Sequence, residues 1–108
     1  MSQVLSGPLL IQIRGCACAY RLDAEDVPVL FNMNGSEEAF VPIFSSRTRL
    51  MAEMDRLGIC FYEVRYVEEP RVFMATAARA GYRLILDPTR VDDRLRWIEV
   101  RPPTLGLA

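Results

Sequence analysis

Thirteen arginines, fourteen carboxylates and three cysteines are the groups of this 108-residue chain that could carry chemistry, and it has neither lysine nor histidine. Their absence excludes an imidazole base, a Schiff-base amine, a His-containing metal site and a phosphate-loop lysine. Cys16-Ala17-Cys18 is a C-x-C pair with no second Cys or His cluster to complete a tetrahedral zinc site, so no metal is expected. On a strand the two cysteines share a face, and they are expected to pack there as small apolar side chains. Cys60 as a nucleophile would need a base or a depressed pKa. Between Ile59 and Phe61 it reads as buried and inert.

Acid chemistry needs two carboxylates in one cleft, one with a raised pKa. Glu63, Glu68, Glu69, Asp87, Asp92 and Asp93 are the candidates, and each lies near an arginine or at a helix start where a capping or surface role suffices. The expectation is therefore a non-enzyme without catalytic residues or cofactors. A net charge of −1 with both signs interleaved lacks the basic excess of a nucleic-acid binder. The arginine bias itself has a bland source in the codon usage of a GC-rich genome. Residues 1–7 carry no basic stretch, and the apolar run at 9–11 is broken by Gln12, so neither signal peptide nor membrane span is expected. Reduced thiols fit a cytoplasmic protein.

These groups must be positioned by elements that the patterning outlines. Apolar residues fall on odd positions over 9–13 and on even ones from Cys16 to Leu22, a phase change that predicts two extended pieces with a bulge or bend at Gly15. Residues 27–33 and 39–44 are apolar, β-rich runs around Asn34-Gly35-Ser36, which predicts a hairpin. Pro42 points to an edge or bulged position, because proline donates nothing to a ladder. Ser45 and Ser46 can cap a helix in which Leu50, Met54 and Leu57 recur at helical spacing and Gly58 ends it. Residues 60–65 read as a strand. A second helix runs from Pro70 to Ala80, alanine-rich and preceded by Glu68 and Glu69. Residues 82–86 form the next strand, ended by Asp87-Pro88-Thr89. Thr89 with Asp92 resembles a capping box ahead of Val91, Leu95 and Ile98, so a short third helix is expected, although 94–100 also alternates as a strand.

Strands alternating with helices require crossovers and parallel pairing. The expected fold is a mixed α/β (α+β) architecture: a single mixed sheet with an N-terminal antiparallel hairpin followed by βαβα units, helices packed on the sheet. It comprises one domain over 1–108, with extended segments at 1–26, the core at 27–100 and a mobile tail at 101–108.

The order from Val27 to Pro88, with Val41-Pro42-Ile43-Phe44-Ser45-Ser46 before an amphipathic helix and Leu84-Ile85-Leu86-Asp87-Pro88 closing it, resembles the SseB N-terminal domain family of bacterial proteins. The family carries a V-P-V-F-T-S segment and a later strand ending in N-P-G, where this chain has Asp87-Pro88-Thr89. The resemblance implies a non-catalytic bacterial domain, with immunity or secretion-associated binding roles, and treats Pro42 as habitual at its strand.

If the second-half strands are parallel, their carboxyl ends share the edge where open α/β sheets place ligands. Loops there bring Ser45, Ser46 and Arg47, Arg65, and Arg90 toward helix N-termini, a candidate site for a phosphate, a carboxylate or an acidic patch on a partner. Two functions follow: a protein-binding domain, or a small anionic-ligand sensor using this arginine edge. Arginine, ten aromatics and Met51, Met54 and Met74 near helix faces are interface types, so self-association into a homodimer through an edge strand is also expected.

Overall fold

The computed structural model describes residues 3–5, 13–32, 37–91 and 94–100. Among these residues seven strands and two helices follow in the order β1 (Gln3–Leu5), β2 (Ala17–Arg21), β3 (Phe31–Asn32), β4 (Ala39–Phe44), α1 (Arg47–Arg56), β5 (Tyr62–Tyr66), α2 (Pro70–Arg79), β6 (Arg83–Val91) and β7 (Arg94–Val100). One mixed sheet runs β1-β7-β6-β4-β2-β5, with β3 paired to β4, and both helices pack against it. The β4/β6 and β1/β7 pairs are parallel and the rest antiparallel. Because β4 and β5 both run antiparallel to β2, the strands β4, β5 and β6 all point the same way.

Alternation along the strands sorts side chains to two faces. Ala17, Ala19 and Phe44 pack with Leu50 and Met54 of α1, whereas Cys18, Val41, Ile43 and Leu84 pack with Met74 and Ala77 of α2. The helices thus cover opposite faces. That is the arrangement right-handed crossovers produce when one connection, β4 to β5, runs opposite in direction to the next, β5 to β6.

Local signals explain both helices. The Ser46 hydroxyl accepts from the Arg49 N–H at 3.2 Å, and Gly58, at φ +74°, ends α1 in the left-handed conformation. Pro70 opens α2 at a position that needs no donor. Leu57 departs from the expected stripe: it is the α1 C-cap and is exposed, and Glu53 takes a buried place instead. At φ +84°, Gly15 makes the expected bend, and its N–H donates to the Val67 carbonyl at 2.7 Å. Residues 13–21, expected only as extended segments ahead of the core, also build it: Ile13, Cys16 and residues 17–19 are all buried.

Two expectations are corrected. Asp87-Pro88-Thr89 does not end the strand, and residues 94–100 are not a helix but β7, antiparallel to β6. Leu86 pairs with Ile98 and Thr89 with Arg96, so one extra residue bulges from β6. Asp87 occupies that bulge at φ +49°, a left-handed conformation Asp tolerates. The Thr89 hydroxyl is turned onto the Asp87 carbonyl at 3.0 Å rather than onto a helix start. Period-two alternation backed by a partner strand prevailed over the i, i+3 spacing. Pro42 is the second correction, since it is buried in a central strand, not at an edge. It fits because β2 pairs with β4 only at Ile43 and Phe44 and β3 only at Phe40 and Ala39, so that among the described residues no strand pairs with 41 and 42 on that side. The turn at 34–36, residues 9–12, Asp92 and the tail at 101–108 lie outside the described residues.

Candidate functional site

The carboxyl end of β4 lies beside the middle of β6, where the Ser45 N–H donates to Asp87 Oδ1 at 2.8 Å. The β6 bulge aims that carboxylate at the loop entering α1. Beside it a cleft of about 300 Å³ opens between β6 and α1, with Arg90, Arg49 and Arg56 on its walls. Arg56 forms an ion pair with buried Glu53 one turn back, which raises the guanidinium pKa. Arg49 and Arg56 were missed in the sequence because their spacing on α1 signals nothing about what faces them.

The other two candidate arginines are elsewhere. Arg47, first in α1, lines a groove beside β5 together with Met51, Tyr62, Val64 and Tyr66. Arg65 pairs across from Cys18, whose side chain faces α2, so it lies on the opposite face of the sheet. It donates to Asp26 Oδ1 at 2.7 Å and to Glu63 Oε1 at 2.7 and 3.1 Å, and stacks over the Tyr20 ring at 4.3 Å. Hydrogen bonds to these two carboxylates raise its pKa further. Asp26 reaches it from a turn at φ +57°. Arg65 is therefore a clamp holding the 23–26 turn to β5, and the three arginines do not converge on one site.

The cysteines divide by burial. Cys16 and Cys18 are buried as expected, with burial raising the Cys16 thiol and pushing the Cys18 thiol up to about 12. Cys60 is a correction: it is exposed, because β5 begins only at Tyr62 and, after Ile59 packs on the core, residues 60 and 61 lie on the surface. A thiol raised to about 12 is thiolate on the order of a thousandfold less often than an ordinary one. In the native protein, Ellman's reagent at mildly alkaline pH is expected to titrate only Cys60, with all three cysteines reacting after unfolding. Fast native reaction in the Cys60→Ser variant would contradict this burial.

Around β5 the surface is apolar to an extent the sequence did not indicate. Phe61 is 83% exposed, Leu22 60%, Tyr66 49% and Met51 43%. Continuing the Arg21/Tyr62 register by one residue sets Leu22 opposite Phe61. Met54 and Met74, expected near an interface, are instead in the core, leaving Met51 as the exposed one of the three. Among the described residues no helix is long and apolar enough to cross a membrane. Comparison of the chain with protein-family models, with curated proteins and with solved structures found no match.

Proposed function

We propose that this chain is a non-catalytic protein-binding domain, a bacterial, cytoplasmic protein of the SseB-like kind, acting as an immunity or secretion-associated adaptor. One observation carries the reading: four of the large exposed apolar side chains flank β5 at one end of the sheet, Met51 and Tyr66 at one groove and Leu22 and Phe61 across from each other ahead of the strand. Exposed apolar side chains clustered at a sheet edge mark contact sites, and aromatics are over-represented among the residues that dominate their energy. The order hairpin, α1, β5, α2, β6 is the one the family resemblance implies, and it supports the same reading. The lack of any imidazole or amine leaves the exposed Cys60 thiol without a side-chain base of those kinds.

Tagged wild-type chain is expected to capture a stoichiometric protein from an extract of its own cells. The Phe61→Asp variant, which removes an 83% exposed ring and leaves the core untouched, is expected to lose at least about tenfold of that capture at an unchanged circular-dichroism spectrum. No captured protein, together with a rise in melting temperature on adding inorganic phosphate, would favour the anion-sensor alternative. That alternative rests on the cleft holding Arg49, Arg56 and Arg90.

A further inference from the structure

Strand β5 closes one end of the sheet, and among the described residues only β2 pairs with it. The direction of its backbone groups follows from the hydrogen bonds at its end. Gly15 N–H donates to the Val67 carbonyl at 2.7 Å and Val67 N–H to the Cys16 carbonyl at 2.9 Å, so the Val67 peptide groups face β2. Directions alternate along a strand, which turns Arg65 and Glu63 toward β2 and Tyr62, Val64 and Tyr66 outward. The opposite strand agrees: Ala19 and Arg21, paired with Val64 and Tyr62, spend their own backbone groups on Val29 and Val27 instead.

We propose that two copies of the chain join through β5, antiparallel and centred on Val64, to make one continuous sheet. The proposal rests on the protein-binding reading and names the partner of the β5 edge. In this register Val64 exchanges both backbone hydrogen bonds with Val64 of the second copy, and Tyr62 does so with Tyr66, so every outward group of the strand is used. Glu63 then stands opposite Arg65 of the second copy, twice by symmetry. Sliding the strands by two residues in either direction sets Glu63 against Glu63 or Arg65 against Arg65. Exposed ion pairs contribute little on their own, so the charges act by penalising these wrong registers. A two-fold axis normal to the sheet keeps both α1 helices on one face. There the two grooves of about 380 Å³, each floored by Tyr62, Val64 and Tyr66 and walled by Met51, merge across the axis. Tyr62 of one copy lies beside Tyr66 of the other, giving apolar contact to an edge that is otherwise a liability.

Light scattering on the full chain is expected to give twice the mass of one chain. Val64→Pro removes an N–H that faces away from β2, so it spares the internal ladder and is expected to weaken the dimer by about 30-fold or more, the equivalent of two lost hydrogen bonds. Glu63→Arg and Arg65→Glu are each expected to be monomeric, and an equimolar mixture of the two variants is expected to form a heterodimer, because each then offers the charges the other lacks. A monomeric wild type, a dimer indifferent to Val64→Pro, or single charge variants that dimerise like the wild type would overturn the proposal. A monomer that still captures a stoichiometric partner through Phe61 overturns self-pairing and leaves the adaptor reading standing. A β5 dimer that captures no other protein supports the pairing and removes the adaptor.

Discussion

Replacing Phe44 with Ala is expected to lower the unfolding free energy by about 3–5 kcal/mol, a third or more of what a domain of this size commonly has. Phe44 is the last residue of β4 and is essentially inaccessible to water. Its ring packs with Ala17, Ala19, Leu50 and Met54, and Ala17 is its direct partner in the β2/β4 register. Two alanines on β2 leave the space the ring fills, and they have no atoms with which to refill it. Truncation therefore costs the transfer of the ring and a cavity that cannot close. The loss also loosens the seat of α1, whose Leu50 and Met54 rest on the same ring, and with it the wall of the arginine-lined cleft. Urea unfolding followed by circular dichroism would show the midpoint falling at constant slope, with Phe44→Leu costing less than about 1.5 kcal/mol. A loss under 1 kcal/mol for Ala would place Phe44 outside the packed core.

Removing the guanidinium of Arg83 is the second large effect. Arg83 opens β6 and grips Glu99 of β7 with two nitrogens, Nη2 at 2.6 and 2.7 Å and Nε at 3.1 Å, while Nη1 reaches Glu38 at 2.6 Å. Its carbon sits 5.0 Å from the Phe40 ring centroid. The Glu99 side chain is only 10% exposed, whereas that of Arg83 is 39% exposed. A buried carboxylate that loses a cationic partner is destabilised, and screening at the half-exposed guanidinium moderates the loss, so Arg83→Met is expected to cost about 2 kcal/mol. Because the cost arises at the buried Glu99 carboxylate, which loses this partner, Glu99→Gln added to Arg83→Met should recover part of it. A double-mutant cycle in urea reads this coupling, and strictly additive single changes would show that the pair contributes nothing specific. Arg83 and Glu99 also hold the β6/β7 hairpin where the expected third helix would have stood. Phe40 and Ile85 with Phe31 and Trp97 form their own small cluster there.

Much of the fold was legible in the chain because its signals are local. Ser46 and Gly58 bracket α1, Pro70 opens α2, and Gly15 marks the bend, each acting within a few residues of itself. The C-x-C pair read correctly as core on strand alternation alone. The last element failed for the opposite reason. Residues 89–100 carry both a helical spacing and a strand alternation, and the choice was made by β6, whose bulge at Asp87 lets the ladder continue past Pro88. Cys60 and Phe61 misled because a strand flanked by apolar residues reads as buried wherever it lies, and only the sheet order puts this one at the rim.

The candidate site divides in the same way. Sequence determined that arginine would supply the cationic chemistry, that Ser46 would cap a helix at the end of a strand, and that β4, β5 and β6 would run in the same direction, although β6 continues past the point where β4 ends. Tertiary structure alone decided which arginines meet. Asp26 lies 39 residues from Arg65 and Glu99 lies 16 from Arg83, separations at which no periodicity specifies a partner. Which side of the sheet a residue occupies depends on strand register, and a shift of one residue reverses it. That register set Arg65 on the α2 face of the sheet, away from the α1 cleft, and left Tyr62, Val64 and Tyr66 with their backbone groups facing outward.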